Sequence, residues 1–164
     1  MEHQHEKVRN PFAGLDDYQC FGCDPDNPIG LKLQFVRSGE TISARWEPRA
    51  DLEGYPGVVH GGIQATLVDE IGAWYVYAVL GTAGVTKSLN IEYKKPALLD
   101  EGPFTVRGSG ERSGKREARI HVTLENGSGE TCAVAECIYM VFSEEIARKR
   151  FSFPGRDAFH DREA

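Results

Sequence analysis

Two groups of residues in this chain could do chemistry together: His60-Gly61-Gly62 and, further along, Asp69-Glu70. Glycines lack Cβ atoms, so the unpaired N–H groups of a first helical turn stand open to an acceptor, and that end of a helix favours partial negative charge. A carboxylate can act as base or nucleophile on a carbonyl whose oxygen such N–H groups polarise. The same residue types also fit a plainer pair of roles, a glycine turn and a solvated helix edge. One turn from Asp69 stand Ala65, Thr66, Gly72 and Ala73. The wall beside the carboxylate is therefore low, and either a ligand or another helix can come close there.

The element that must position these groups is the run from Val58 to Leu80, the only long helical pattern in the chain. Ile63, Leu67, Ile71, Trp74 and Ala78 recur at three-to-four spacing, and Val68, Val76 and Val79 continue the apolar character around the helix. That pattern predicts a buried helix. A helix rises ~1.5 Å per residue, so Gly62 and Asp69 lie roughly 10 Å apart along its axis. One carbonyl cannot touch both. If they serve one substrate, they come from two copies of the helix set antiparallel across a two-fold axis, which creates two sites per dimer.

The remaining pattern predicts strands. Leu31, Leu33 and Phe35 alternate with Lys32 and Gln34, and Ile42, Ala44 and Trp46 follow the turn at Ser38-Gly39-Glu40, which reads as a hairpin. Val85 to Tyr93 places Val85, Leu89, Ile91 and Tyr93 on one face and Thr86, Ser88, Asn90 and Glu92 on the other. Strands through Phe104 to Arg112, Ala118 to Leu124 and Thr131 to Phe142 follow, the last apolar on both faces and hence central. Six strands and one long helix predict an α+β fold in which an antiparallel sheet wraps the helix. Residues 1–19 read as a polar, loosely ordered lead-in with His3 and His5 in solvent, residues 20–142 as the domain, and residues 143–164 as a tail. In that tail Phe151, Phe153 and Phe159 stand among charges, so it either docks as a short helix or stays free.

At 164 residues and 40% hydrophobic content, the chain suits one domain with a full core. A net charge of −6 argues against nucleic-acid and anionic-membrane partners. The longest apolar run, Ala73 to Leu80, is too short to span a bilayer, and the first residues carry no apolar leader, so the expected location is cytoplasmic. Four cysteines raise the question of zinc. Cys132 and Cys137 are five apart in a strand and point to opposite faces, however, so they cannot join Cys20 and Cys23 in a compact set. Reduced structural thiols and no metal are the expectation.

The run Pro56-Gly57-x-x-His60-Gly61-Gly62, continued by Ala65-Thr66-Leu67-Val68-Asp69-Glu70 and by Gly84-Val85-Thr86-x-x-Leu89-Asn90-Ile91-x-Tyr93-x-Lys95-Pro96, resembles the hotdog-fold thioesterases, specifically the PaaI-like branch. The stretch Cys20-x-x-Cys23-x-x-x-Asn27-Pro28-x-Gly30-Leu31 looks like that branch's lead-in. The resemblance covers about Cys20 to Phe142. It implies hydrolysis of an acyl-coenzyme A thioester, without a cofactor, at a site shared between two subunits of a homodimer or a dimer of dimers. By position it implies Asp69 as nucleophile or base, Gly62 as the partner's carbonyl-polarising amide and Thr86 as the hydroxyl that orients water or carboxylate.

His60 would orient the thioester or fix the loop, and Gly61 and Glu70 would stand beside the substrate. Relatives often carry an Asn six positions before the His; here that position is Gly54, with Glu53 next to it. Lys94, Lys95, Arg112, Lys115 and Arg116 are candidates for the coenzyme phosphates. Trp46, Tyr55, Trp74 and Tyr77 could line an aromatic-accepting pocket or simply pack. The competing expectation is a module that binds acyl-coenzyme A without turning it over; a hydratase is disfavoured, because the loop before the helix lacks a spaced Asp and His pair.

Overall fold

The structure, a computed structural model, describes residues 5–161. Its central element is helix α1 (Gly61–Tyr75), whose run continues as a wider π turn over Val76–Leu80 and stops at Gly81 in the left-handed region. A glycine there closes the helix without Cβ strain. Leu67, Val68, Ile71, Trp74 and Tyr75 are fully buried, each apolar side chain contributing about 1.5–3 kcal/mol by leaving water. Among the described residues no helix is long and apolar enough to cross a membrane.

Around α1 curls one antiparallel sheet of seven strands, β1 (Glu6–Val8), β2 (Phe35–Ser38), β3 (Thr41–Trp46), β4 (Gly84–Tyr93), β5 (Phe104–Arg112), β6 (Glu117–Glu125) and β7 (Thr131–Val141). Their order is β1-β2-β3-β5-β6-β7-β4. The α+β hotdog architecture is as expected, with one strand more than the six predicted. The additional strand is β1, which pairs Lys7 with Val36 in the stretch read as a loose lead-in. Phe12 is buried there against Tyr18, Tyr77 and Phe159, so this polar segment is ordered by a few aromatic contacts. His5 is exposed, and His3 lies outside the described residues.

Residues Leu31 to Gln34 are not a strand. Lys32 takes a φ of 55°, which breaks the extended run, and the amides of Leu31 and Leu33 bond Phe21 O and Gly22 O instead of joining the sheet. The tail docks through α2 (Glu144–Phe151), Phe153 and Phe159, the last two buried. β4 forms one edge of the sheet, and its ladder with β7 slips between Thr86 and Ser88. That bulge at Lys87 overturns the predicted faces. Thr86 pairs with buried Tyr139, and Leu89, Ile91 and Tyr93 pair with Cys137, Ala135 and Ala133, so all four look toward α1, whereas Val85 pairs with exposed Met140 on the outer surface.

Candidate active site

Gly62, Thr66, Asp69 and Ala73 fall on one stripe of α1, and none of them is fully buried. Asp69 sits midway along this stripe. Its Oδ1 accepts the hydroxyl of Thr86 from β4 at 2.8 Å and that of Tyr139 from β7 at 2.8 Å. The Tyr139 hydroxyl also reaches the Asp69 carbonyl oxygen at 2.8 Å. Asp69 Oδ2 has no protein partner among the described residues. Burial first, and the Asp69 carboxylate second, push the Tyr139 phenol well above its ordinary range, so it stays a donor.

The low wall beside Asp69 therefore has an occupant. A Cβ on Gly72 would stand 2.2 Å from the Tyr139 oxygen; the glycine is what lets the Tyr139 ring cross the helix and hold the carboxylate. On the Gly72 side, what comes close is the protein's own tyrosine. Tyr139 escaped the sequence reading because it lies in an apolar strand, where a tyrosine looks like packing.

At the helix start, His60 is the N-cap. Its Nδ1 accepts the Gly62 N–H at 2.9 Å, so that ring nitrogen carries no proton in this arrangement. The Gly61 amide meets no acceptor among the described residues, while its carbonyl accepts the Tyr93 hydroxyl at 2.8 Å. The loop over this end is closed by Glu53, whose carboxylate accepts the Gly57 N–H at 2.9 Å. Gly54, Tyr55, Val58, Val59, His60 and Gly61 line an open cleft of about 430 Å³. Tyr55 is 84% exposed on its rim, whereas Trp46 and Trp74 are core and Tyr77 stacks in an aromatic cluster with Phe153 and Phe159.

Glu70 points elsewhere, under the Cys20–Cys23 loop. It receives the Cys20 thiol at 3.6 Å, and burial, then the Cys20 charge, push its carboxyl up to about 8. The Cys23 thiol, 2.9 Å from the Cys20 sulfur, pulls Cys20 down to about 6. Cys132 and Cys137 are buried in β7, and burial raises Cys137 to about 12.

The basic candidates separate as well. Lys95 is paired with Glu130 at 3.1 Å and Glu101 at 3.9 Å, and Lys94 with Glu92. Arg112, Lys115 and Arg116 stand exposed on the β5–β6 hairpin, with no carboxylate partner among the described residues.

A long helix wrapped by one antiparallel sheet, with a hydroxyl-held carboxylate on the helix's outward stripe, defines a hotdog-fold protein. The thioesterase superfamily profile matches residues 56–133, from the loop before α1 to the start of β7. Over this stretch, which holds the helix and the carboxylate it carries, the chain is similar to that superfamily. A candidate esterase of Saccharolobus solfataricus is 28% identical over 127 residues, covering 77% of this chain and 83% of that protein. A hypothetical thioesterase from Streptococcus pneumoniae, solved with coenzyme A, is 27% identical at a TM-score of 0.60, covering 64% of this chain and 83% of its own. The E. coli PaaI protein of the phenylacetic acid degradation operon shares the fold, at 17% identity and a TM-score of 0.61 over 70% of this chain and 82% of its own.

Proposed function

We propose that this protein hydrolyses acyl-coenzyme A thioesters in the manner of the PaaI-like branch, at sites shared between two antiparallel copies. The observation that carries the reading is the Asp69 carboxylate, clamped on one oxygen by Thr86 and Tyr139 and free on the other. Oδ2 takes a proton from water as the water oxygen bonds the thioester carbon, or attacks that carbon itself. The carbonyl oxygen becomes an oxyanion that collapses as the C–S bond breaks; the departing sulfur takes the proton held by Asp69 in the first route and a solvent proton in the second, where water then hydrolyses the acyl–Asp69 anhydride and frees the carboxylate. Amides at the start of the partner's α1 stabilise the oxyanion, a contribution of about 3–4 kcal/mol for one such donor.

Two features support a second copy. β4 is an unpaired edge of ten residues with Tyr93 52% exposed and Val85 41% exposed, the kind of edge that invites a partner strand. The outward stripe of α1 is lined by the small residues Gly62, Thr66 and Ala73. In this arrangement the His60 ring gives up the Gly62 N–H to the substrate oxygen, or the open Gly61 amide serves beside it. Arg112, Lys115 and Arg116, without a carboxylate partner among the described residues, are the candidates for the coenzyme phosphates, whereas Lys95 is already held by two carboxylates. The coenzyme A found in the 27%-identical S. pneumoniae structure supports that choice of substrate class.

The test is a thiol-release screen over short, long and aromatic acyl-coenzyme A substrates, run with Asp69→Asn in parallel. Release that vanishes with the carboxylate supports the assignment. Tight binding without release favours the ligand-sensing module, a reading that the occupied Gly62 amide favours in turn.

A further inference from the structure

The Cys20-Phe21-Gly22-Cys23 loop and Glu70 of α1 lie far apart in the chain yet meet closely in space. The Cys20 and Cys23 sulfurs and a Glu70 carboxylate oxygen all lie within 4.8 Å of one another. The loop is fixed from several sides: Leu31 N bonds Phe21 O at 2.7 Å, Leu33 N bonds Gly22 O at 2.9 Å, and Asn10 Nδ2 bonds Cys23 O at 3.0 Å. Gly22 is required for the approach, because a Cβ there would stand 2.2 Å from Glu70 Cγ and Cδ.

We propose that Cys20, Cys23 and Glu70 bind a zinc ion that staples the loop before β2 to the central helix. The donor set suits it: two thiolates and a carboxylate more than balance the charge of a divalent ion that accepts both soft and hard ligands, with water or the Tyr18 hydroxyl left to complete four-coordination. The Cys20 Sγ to Glu70 Oε1 distance of 3.6 Å is close to the ~3.5 Å that Zn–S near 2.3 Å and Zn–O near 2.1 Å imply. The two sulfurs, 2.9 Å apart, need to open to ~3.8 Å around a tetrahedral ion, a side-chain adjustment in a half-buried loop.

A Cys20–Cys23 disulfide would account for two of the three groups and leave Glu70 half-buried with no donor. No Lys, Arg or His side chain pairs with Glu70 among the described residues, and its thiol contact is a weak hydrogen bond. A half-buried carboxyl with neither a cation nor a strong donor is left poorly satisfied. Zinc satisfies all three groups at once. The set is local, so Cys132 and Cys137 are not needed.

The experiment measures metal in the full-length protein purified under reducing conditions, by elemental analysis and by colorimetric release, with the thermal midpoint before and after chelation. One zinc per chain is expected, with a lowered midpoint on chelation that Zn²⁺ alone restores. Co²⁺ in place of zinc should give a thiolate-to-metal charge-transfer band. Cys20→Ser/Cys23→Ser and Glu70→Gln should each lose or weaken that metal, and Cys137→Ser should keep it. If the double serine variant does not fold, the chelation cycle and Glu70→Gln on folded protein still decide. Neither zinc nor cobalt bound by the reduced protein, a disulfide with no metal, or stoichiometric zinc surviving in the double variant overturns the proposal. None of these readouts depends on thioester turnover, so this inference and the proposed activity stand or fall separately.

Discussion

Asp69 and Glu70 are chain neighbours of the same chemical type, and the fold gives them opposite surroundings. One residue along a helix is a turn of about 100°, which is enough to move a carboxylate from the outward stripe to the underside of a loop. Asp69 is met by two hydroxyls from the sheet and keeps an oxygen free. Glu70 is met by thiols in a half-buried position under the cysteine loop. A free oxygen beside neutral donors can move a proton or attack a carbon; a buried one among sulfurs can bind a cation or be stranded. The lesson is that the partners a carboxylate is given, more than its place in a motif, separate chemistry from architecture.

The largest expected effect breaks this pair apart. Asp69→Asn should lower thiol release at least 100-fold, the scale of a lost general base, with its thermal midpoint and metal content unchanged. Glu70→Gln should show the reverse signature, a lowered midpoint and lost metal with a far smaller fall in turnover. Equal losses of turnover in both variants would erase the distinction. Next comes Gly72→Ala. Helix propensity alone predicts about 1 kcal/mol of stabilisation, but the added methyl meets Tyr139 at 2.2 Å. Overpacking of about 1–3 kcal/mol should win, and displacing the phenol should also slow turnover. Urea unfolding reads the sign directly, and a stabilised variant would mean that Tyr139 is not seated as described.

Thr86→Ala removes one hydrogen bond to a charged group, about 1.5 kcal/mol or roughly tenfold in rate, and Thr86→Ser should restore most of it. Deleting Lys87 tests the same contact through the backbone, because a straight ladder would turn Thr86 away from α1. Activity equal to wild type after that deletion would deny the bulge its role.

Much of this architecture was legible from periodicity. The apolar pattern from Val58 to Leu80 and the alternations on either side sufficed for the helix, the hairpin and the wrapping sheet, and spacing alone separated Gly62 from Asp69. What stayed hidden depended on single backbone irregularities and on contacts distant in the chain. Strict alternation placed Thr86 opposite Leu89; one extra residue at Lys87 reverses this. The positive φ at Lys32 took Leu31 to Gln34 out of the sheet and toward the cysteine loop. Tyr139 and Gly72 carry no signal separately, since each is informative only beside the other. The lead-in looked loose because its composition is polar, yet β1 pairs with β2 and the buried Phe12 holds it.

The smallest effect is expected at Gly54, far from Glu70 and on the cleft beside the start of α1. A Cβ there would meet His60 Cα and Cδ2 at 3.5 Å, ordinary contact, and the glycine's φ lies outside the left-handed region. Gly54→Asn should therefore fold at least as well as wild type, with up to about 1 kcal/mol gained from a less flexible unfolded chain. Its amide would arrive over the His60 ring, next to the N–H groups that the proposed mechanism uses, and should change thiol release by a few-fold. In the proposed shared site this end of the helix acts together with Asp69 of the second copy, so the change should disappear in an Asp69→Asn background and leave metal content untouched. A rate change that persists without Asp69 would mean that the two ends of α1 do not act on one carbonyl, and the shared site would have to be abandoned even if hydrolysis itself were real.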